Sequence, residues 1–189
     1  MKIIAGKHKG RLIKTSDNKN YRPTTGRTRE ALFSILSSGR FLTDAGSILN
    51  NAIILDLFCG TGSFSFEALS RGAKRVIAID IEQDHIYLVK ENAIKFGEVE
   101  NITVIRADAA MLPRAKQECD IVFMDPPYNQ NLVAKALKSL KDKCWLKNGA
   151  IIITELDRKE TLEEIVEFSI IDERIYGKTK IIILEYKQG

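Results

Sequence analysis

Asp125-Pro126-Pro127-Tyr128 follows the short apolar run Asp120-Ile121-Val122-Phe123-Met124. Two consecutive prolines have no N–H to give to a central strand, so they end it and stiffen the loop beyond. A carboxylate and a free carbonyl in such a loop can accept both protons of an exocyclic amino group. An aromatic ring two residues past the first proline can stack on a flat base. The chemistry needs this combination, because the lone pair of an exocyclic amine is delocalised into its ring and is a poor nucleophile. Two acceptors pull the nitrogen toward tetrahedral geometry and aim its lone pair at an electrophile. Positioning of this kind supplies a large part of a barrier reduction. Asp125, Pro126 and Tyr128 are therefore the candidate catalytic residues, and Asp125 can also take the proton released.

Three further sites also sit just after apolar runs. Asp56-Leu57-Phe58-Cys59-Gly60-Thr61-Gly62 ends the run that starts at residue 53. Its glycines allow a sharp turn and close approach of backbone to a ligand. Position 65 is Ser where a dinucleotide fingerprint has Gly or Ala, and no phosphate-loop Lys follows. The acid ahead of the glycines suits a ligand with a cationic end, such as S-adenosylmethionine, better than a pyrophosphate. Asp80 ends Arg75–Asp80, 18 residues beyond Gly62, where an acid commonly binds ribose hydroxyls. Asp108, followed by Ala109, can accept from an adenine amine. Each of the three also fits a plain strand-to-helix turn or a helix cap.

The elements that must position these residues follow from the periodicity. Residues 1–5 and 11–15 flank a turn-prone segment and predict a β-hairpin, and residues 27–38 have helical spacing. From residue 52 the pattern alternates. Strands are predicted at 53–58, 75–80, 102–107, 120–124, 150–155, 169–175 and 180–186. Helices are predicted at 62–71, 82–96 and 132–140, with short pieces at 109–116 and 157–168, the last begun by an Asp157-x-x-Glu160 capping box. Alternation implies a Rossmann-like α/β fold: a seven-stranded, mostly parallel sheet with helices on both faces and ligands at the carboxyl ends of the strands. The proposed chemistry requires the proline loop and the glycine turn to leave the sheet at the same edge. Trp145 reads as core and His85 as helix surface.

Charge is unevenly placed. The net charge is +4, but residues 1–40 hold ten Lys/Arg and two acids, which leaves the rest of the chain mildly acidic. A basic arm on an acidic body suggests a polyanion partner. Cys59, Cys119 and Cys144 lack paired spacing, and with only His8 and His85 there is no zinc pattern. No apolar run is long enough to cross a membrane. The expectation is a cytoplasmic monomer that takes no metal and no membrane.

These motifs, in this order, resemble class I S-adenosylmethionine-dependent methyltransferases that act on amino groups. MKIIAGKHKGR, RPTTGRTREALFSIL, DLFCGTGSFSFEALSRGA, DPPY and RIYGKTK resemble the RsmD family over essentially the whole chain. That resemblance implies methylation of the N2 amine of a guanine in bacterial 16S rRNA, conventionally guanine 966, within the 30S subunit or an assembly intermediate. It implies that Asp56, Phe58, Gly60 and Gly62 shape the methionine end of the cofactor site, that Asp80 holds the ribose, and that Asp108 and Ala109 hold the adenine. Asp125, Pro126 and Tyr128 then hold the guanine. Arg22, Thr24, Arg27 and Arg29 contact RNA or close over the cofactor, with Arg11 and Lys178 as further RNA contacts. Residues 1–50 form a basic RNA-contacting extension and residues 51–189 the methyltransferase domain. Competing expectations are a DNA amino-methyltransferase, a non-catalytic RNA-binding module and, weakened by Ser65, a nicotinamide-dependent oxidoreductase.

Overall fold

The structure is a computed structural model that describes residues 1–15, 26–44, 46–127, 132–163 and 165–189, with backbone only at Gly26 and Arg27. The elements in chain order are α1 (Gly26–Leu36), β1 (Leu42–Thr43), β2 (Gly46–Ser47), β3 (Ile53–Leu57), α2 (Ser63–Ser70), β4 (Arg75–Asp80), α3 (Gln83–Phe96), β5 (Ile102–Arg106), β6 (Cys119–Met124), α4 (Leu132–Asp142), β7 (Leu146–Asp157), β8 (Phe168–Tyr176) and β9 (Thr179–Tyr186). Seven strands form one sheet in the order β5-β4-β3-β6-β7-β9-β8, while β1 and β2 pair by themselves. The first five strands of the large sheet run parallel, and β9 and β8 add antiparallel. The order reverses between β3 and β6, and that reversal opens the crevice in which an open α/β sheet binds ligands.

The central strands are apolar on both faces because helices cover both. One core cluster joins Ile54, Phe123 and Ile153 to Phe33, Phe64 and Phe66. The other joins Leu55, Val122 and Ile152 to Leu137, Leu140 and Trp145. Trp145 is buried and its indole N–H donates to the Pro113 carbonyl, as a core Trp requires. Helix α3 ends where Gly97 takes a left-handed conformation (φ +71°) and the Glu98 N–H returns to the Ala93 carbonyl.

The N-terminal segment folds back as a short hairpin, its arms paired over Met1–Ile3 and Gly10–Ile13. Lys2 and Leu12 form an antiparallel bridge, the N–H groups of Ile3, Gly10 and Ile13 donate to the carbonyls of Arg11, Ile3 and Met1, and the segment between the arms docks on α2. Glu67 accepts from the N–H groups of Ile4 and Ala5, at 2.7 and 3.0 Å. Lys7 N–H donates to the Ser70 carbonyl and His8 N–H to Ser70 Oγ. Gly6 is required here: its φ is +78°, and a Cβ would lie 1.8 Å from the Ser70 carbonyl oxygen.

Three predicted elements change, the short helix expected at 109–116 being only the 3-10 turn Ala109–Met111. Strand β7 starts four residues early, at Leu146, across an irregularity in its pairing with β6. The helix expected at 157–168 is absent among the described residues, although its capping box forms: Asp157 N–H donates to Glu160 Oε2 and Lys159 N–H to Asp157 Oδ1. Leu162 and Ile165 pack on the core while Val166 is almost fully exposed, so no helical stripe is buried to sustain further turns. No helix among the described residues is long and apolar enough to cross a membrane.

Candidate active site

Register places the chemistry. Asp56 pairs with Ala78 on β4 and with Phe123 on β6, and Phe123 pairs with Ile153 on β7. Register partners on parallel strands point to the same face, and so do residues two further along. Asp80, Asp125 and Glu155 therefore stand in one row at the carboxyl edge, on the face that carries Asp56. Leu57 pairs with Met124, so the glycine turn starting at Phe58 and the proline loop starting at Asp125 leave neighbouring strands side by side, about 5 Å apart. The shared edge that the amine chemistry requires is present.

The glycine turn is held at both ends. Phe58 and Cys59 both donate their N–H to the Ile79 carbonyl, at 3.0 Å each. Phe58 has φ +69°, an uncommon conformation for a bulky side chain, of the kind that recurs where backbone must be shaped to a ligand. At Gly62 (φ +76°) a Cβ would lie 2.9 Å from the Phe66 ring and 3.2 Å from Val89, so helix α2 can start there only with Gly. Ser65, the residue that breaks the dinucleotide fingerprint, donates its N–H and its hydroxyl to Asp56 Oδ2. Asp56 is thus a buried strut under the first turn of α2 rather than an exposed acid. Burial pushes it up to about 7 against the opposing Ser65 hydrogen bonds, with Asp80 and Asp125 adding to the rise.

Asp80 has the opposite electrostatics. Burial alone would raise it, but contact with His85 and hydrogen bonds from the Glu82 and Gly60 N–H groups hold it below the ordinary carboxylate range. His85 Nδ1 lies 3.1 Å from Asp80 Oδ2, and that carboxylate raises His85 above its usual value. His85 therefore faces the site, not open solvent. Sequence periodicity missed it, although a His five residues after a strand-end acid is a usable signal. Asp108 caps a short 3-10 turn, Ala109–Met111, by accepting from the Ala110 N–H through Oδ1. The residue is exposed, and Ala109 beside it is buried.

These residues fit S-adenosylmethionine. Side-chain-free backbone at Gly60 and Gly62 leaves room for a close approach, ionised Asp80 can accept from ribose hydroxyls, and the exposed Asp108 carboxylate can meet an adenine amine. Among the described residues, no group of His, Cys, Asp and Glu could hold a metal ion.

On the acceptor side Asp125 is half-buried, Pro126 buried and Pro127 exposed. Tyr128, Arg22 and Thr24 lie outside the described residues, as does the side chain of Arg27. Arg29 is buried: its guanidinium donates to the Lys2 carbonyl (2.8 Å) and meets Met1 Sδ. That assigns it to holding the N-terminal fold-back, in place of the surface contact expected of it. Arg11 donates to the carbonyls of Lys95 and Phe96, Lys7 pairs with Glu98 and Lys14 with Glu91. Much of the arm's charge is thus engaged within the fold. Lys178 is exposed at the β8–β9 turn, where its carbonyl accepts from the Arg158 N–H. Arg158 and Lys159 are exposed beside it, and none of the three forms an ion pair among the described residues.

The family described as Conserved hypothetical protein 95 matches residues 1–185. The ribosomal RNA small subunit methyltransferase D of Buchnera aphidicola (from Acyrthosiphon pisum) is 35% identical over 85% of this chain and 80% of its own length. The chain belongs to the RsmD family of methyltransferases. The Escherichia coli K12 protein of the same name is 31% identical over 94% of this chain and 86% of its own. The solved structure of the putative methyltransferase yhhF from Escherichia coli superposes with a TM-score of 0.81 at 26% identity, covering 100% of this chain and 99% of that one. RsmD-family membership and the side-by-side exit of the two loops agree with each other.

Proposed function

We propose that this RsmD-family chain transfers a methyl group from S-adenosylmethionine to the exocyclic N2 amine of a guanine in 16S rRNA, on the small subunit or an assembly intermediate of it. The observation that carries the reading is the register that sets Asp125 beside the glycine turn and in the same row as Asp80. The names of the relatives support ribosomal RNA as the substrate.

S-adenosylmethionine supplies an activated methyl group when bound. The chain's own residues do the rest. Gly60, Gly62 and Phe58 shape the turn, Asp80 accepts from the ribose, and Asp108 with Ala109 meets the adenine. Asp125 and the Pro126 carbonyl orient the amine, and Tyr128 stacks on the base, which must swing out of its helix to reach them. Lys178, with Arg158 and Lys159, offers phosphate contacts at the outer end of β7. Such contacts fix orientation without reading sequence. Arg22, Thr24 and Arg27 extend that contact from the N-terminal arm, while Arg11, expected there too, is held by the Lys95 and Phe96 carbonyls.

The test is radiolabelled methyl transfer to small ribosomal subunits from a strain lacking the modification, followed by nucleoside analysis. Label in N2-methylguanosine is expected. Label in duplex DNA but not in ribosomal particles overturns the reading. Replacing both Arg158 and Lys178 by Ala is expected to lower the slope of log affinity against log salt by about 2.

A further inference from the structure

One group at the carboxyl edge has no part in the chemistry so far. Glu155 ends the Ala150-Ile151-Ile152-Ile153-Thr154-Glu155 run on β7 and is only 2% exposed. Its Oε1 is fully buried and has no hydrogen-bond partner among the described residues. Met124 and Thr154 are register partners, so Asp125, the first residue after β6, leaves the sheet beside Glu155 of β7, and its charge acts on Glu155. A buried polar atom without a partner keeps the full cost of its lost hydration. A second carboxylate beside it costs more, because two adjacent carboxyl groups resist ionising together and hold one proton between them.

Among the described residues, the surroundings supply no cation to change this. Asp125 just after β6, Asp56 on β3 and Asp80 on β4 are all acids. Lys180 on β9 donates to the Glu160 carbonyl and lies 3.7 Å from Glu173 on β8, and Arg29 of α1 is bound to the Lys2 carbonyl.

We infer that Glu155 is a positioning residue: it shares a single acid proton with Asp125, and so fixes which Asp125 oxygen is left to accept from the target amine. The inference rests on the proposed role of Asp125. Burial, with the Asp125 charge second, pushes Glu155 up to about 9, so the shared proton is present at neutral pH. As the amine nitrogen bonds to the methyl carbon, the carbon–sulfur bond breaks and its electron pair stays on sulfur. One N–H proton passes to Asp125, the N–H electron pair returning to nitrogen. The pair then holds two protons until one leaves to water. Without Glu155, Asp125 keeps its charge and loses the hydrogen bond that orients it.

The experiment compares the full-length wild type, Glu155→Gln and Glu155→Leu in single-turnover methyl transfer to small subunits lacking the modification, from pH 6 to 10. Gln keeps a neutral donor beside Asp125, so a rate within about threefold of wild type is expected at pH 7.5. Leu removes the donor, and a fall of about tenfold or more in maximal rate is expected, with KM for the methyl donor unchanged. The wild-type rate should decline above about pH 9 as the shared proton is lost, while the Gln variant, having nothing to lose, should not decline. Coincident pH profiles for wild type and Glu155→Gln overturn the inference, as does a Leu variant with the wild-type rate. Infrared difference spectra decide it independently of substrate. A carboxylic-acid band at pH 7 that disappears in Glu155→Gln supports the pair, and its absence from wild type overturns it. Wild-type protein that shows this band yet methylates no ribosomal particle counts against the proposed function and leaves the proton pair standing.

Discussion

The two halves of the carboxyl edge solve the burial of acids in opposite ways. On β3 and β4, Asp56 and Asp80 are tied down by donors the fold supplies: Ser65 for one, and Gly60, Glu82 and His85 for the other. On β6 and β7, Glu155 has no such donor on Oε1 although it stands in the same row as Asp80. Burial penalises all of these carboxyls. What separates Asp80, held low, from Glu155, pushed up to about 9, is the number of N–H groups and cations within reach. In the half proposed to hold the cofactor, the donors around Asp80 keep its charge in one place. The half proposed to meet the amine keeps an under-satisfied acid, the kind of buried atom that calls for a functional explanation.

Removing Asp125 should break that contrast most severely. Asp125→Ala is expected to lower the methyl-transfer rate by 10²-fold or more, the range for a lost positioned proton acceptor, with the affinity for S-adenosylmethionine by calorimetry unchanged. An equal loss of cofactor affinity would move Asp125 to the donor half. Next in size is Gly6→Ala, which attacks the donor half from behind. Gly6 lies against the end of α2, the helix that starts at the glycine turn, and the added Cβ meets Ser70 backbone rather than a flexible side chain. A positive φ and a backbone clash together should cost about 2–4 kcal/mol in urea unfolding. A loss below about 0.5 kcal/mol would mean that the fold-back is not a clamp.

Much of this arrangement was legible in the sequence, for reasons that also explain the gaps. Acids and glycines just after apolar runs marked Asp56, Gly60, Gly62, Asp80, Asp108 and Asp125, because parallel strands must end where loops begin and ligands bind there. Helix α3 was legible because its apolar spacing runs from residue 82 to 96 and is buried as such. Glu155 was not, because the end of an apolar strand says nothing about its neighbour until strand order puts β7 beside β6. The basic arm shows the limit from the other side. Its charge was visible, but whether Arg29 faces RNA or the Lys2 carbonyl depends on where the chain folds back, which no local pattern encodes. The false helix at 157–168 had a correct cap and no buried face to continue on.

Asp80 offers a finer test of the donor half. Asp80→Asn removes the charge and should weaken cofactor binding by about 10- to 100-fold, the worth of charge-assisted hydrogen bonds to hydroxyls. His85→Ala should have the smallest effect and the most informative one. His85 leads the groups that hold Asp80 below the usual carboxylate range, so its loss lets the Asp80 pKa rise. Cofactor binding needs the ionised form. Wild-type affinity should therefore persist to a lower pH than the variant's, and the two should match at pH 8. The same shift bears on stability. A depressed carboxylate stabilises the fold above its unfolded pKa and loses that contribution as pH falls through the folded value, so the variant should also lose its advantage at a higher pH than wild type. Titration calorimetry from pH 4 to 8 separates the outcomes: parallel curves for the two proteins would show that the Gly60 and Glu82 N–H groups hold Asp80 ionised without help from His85.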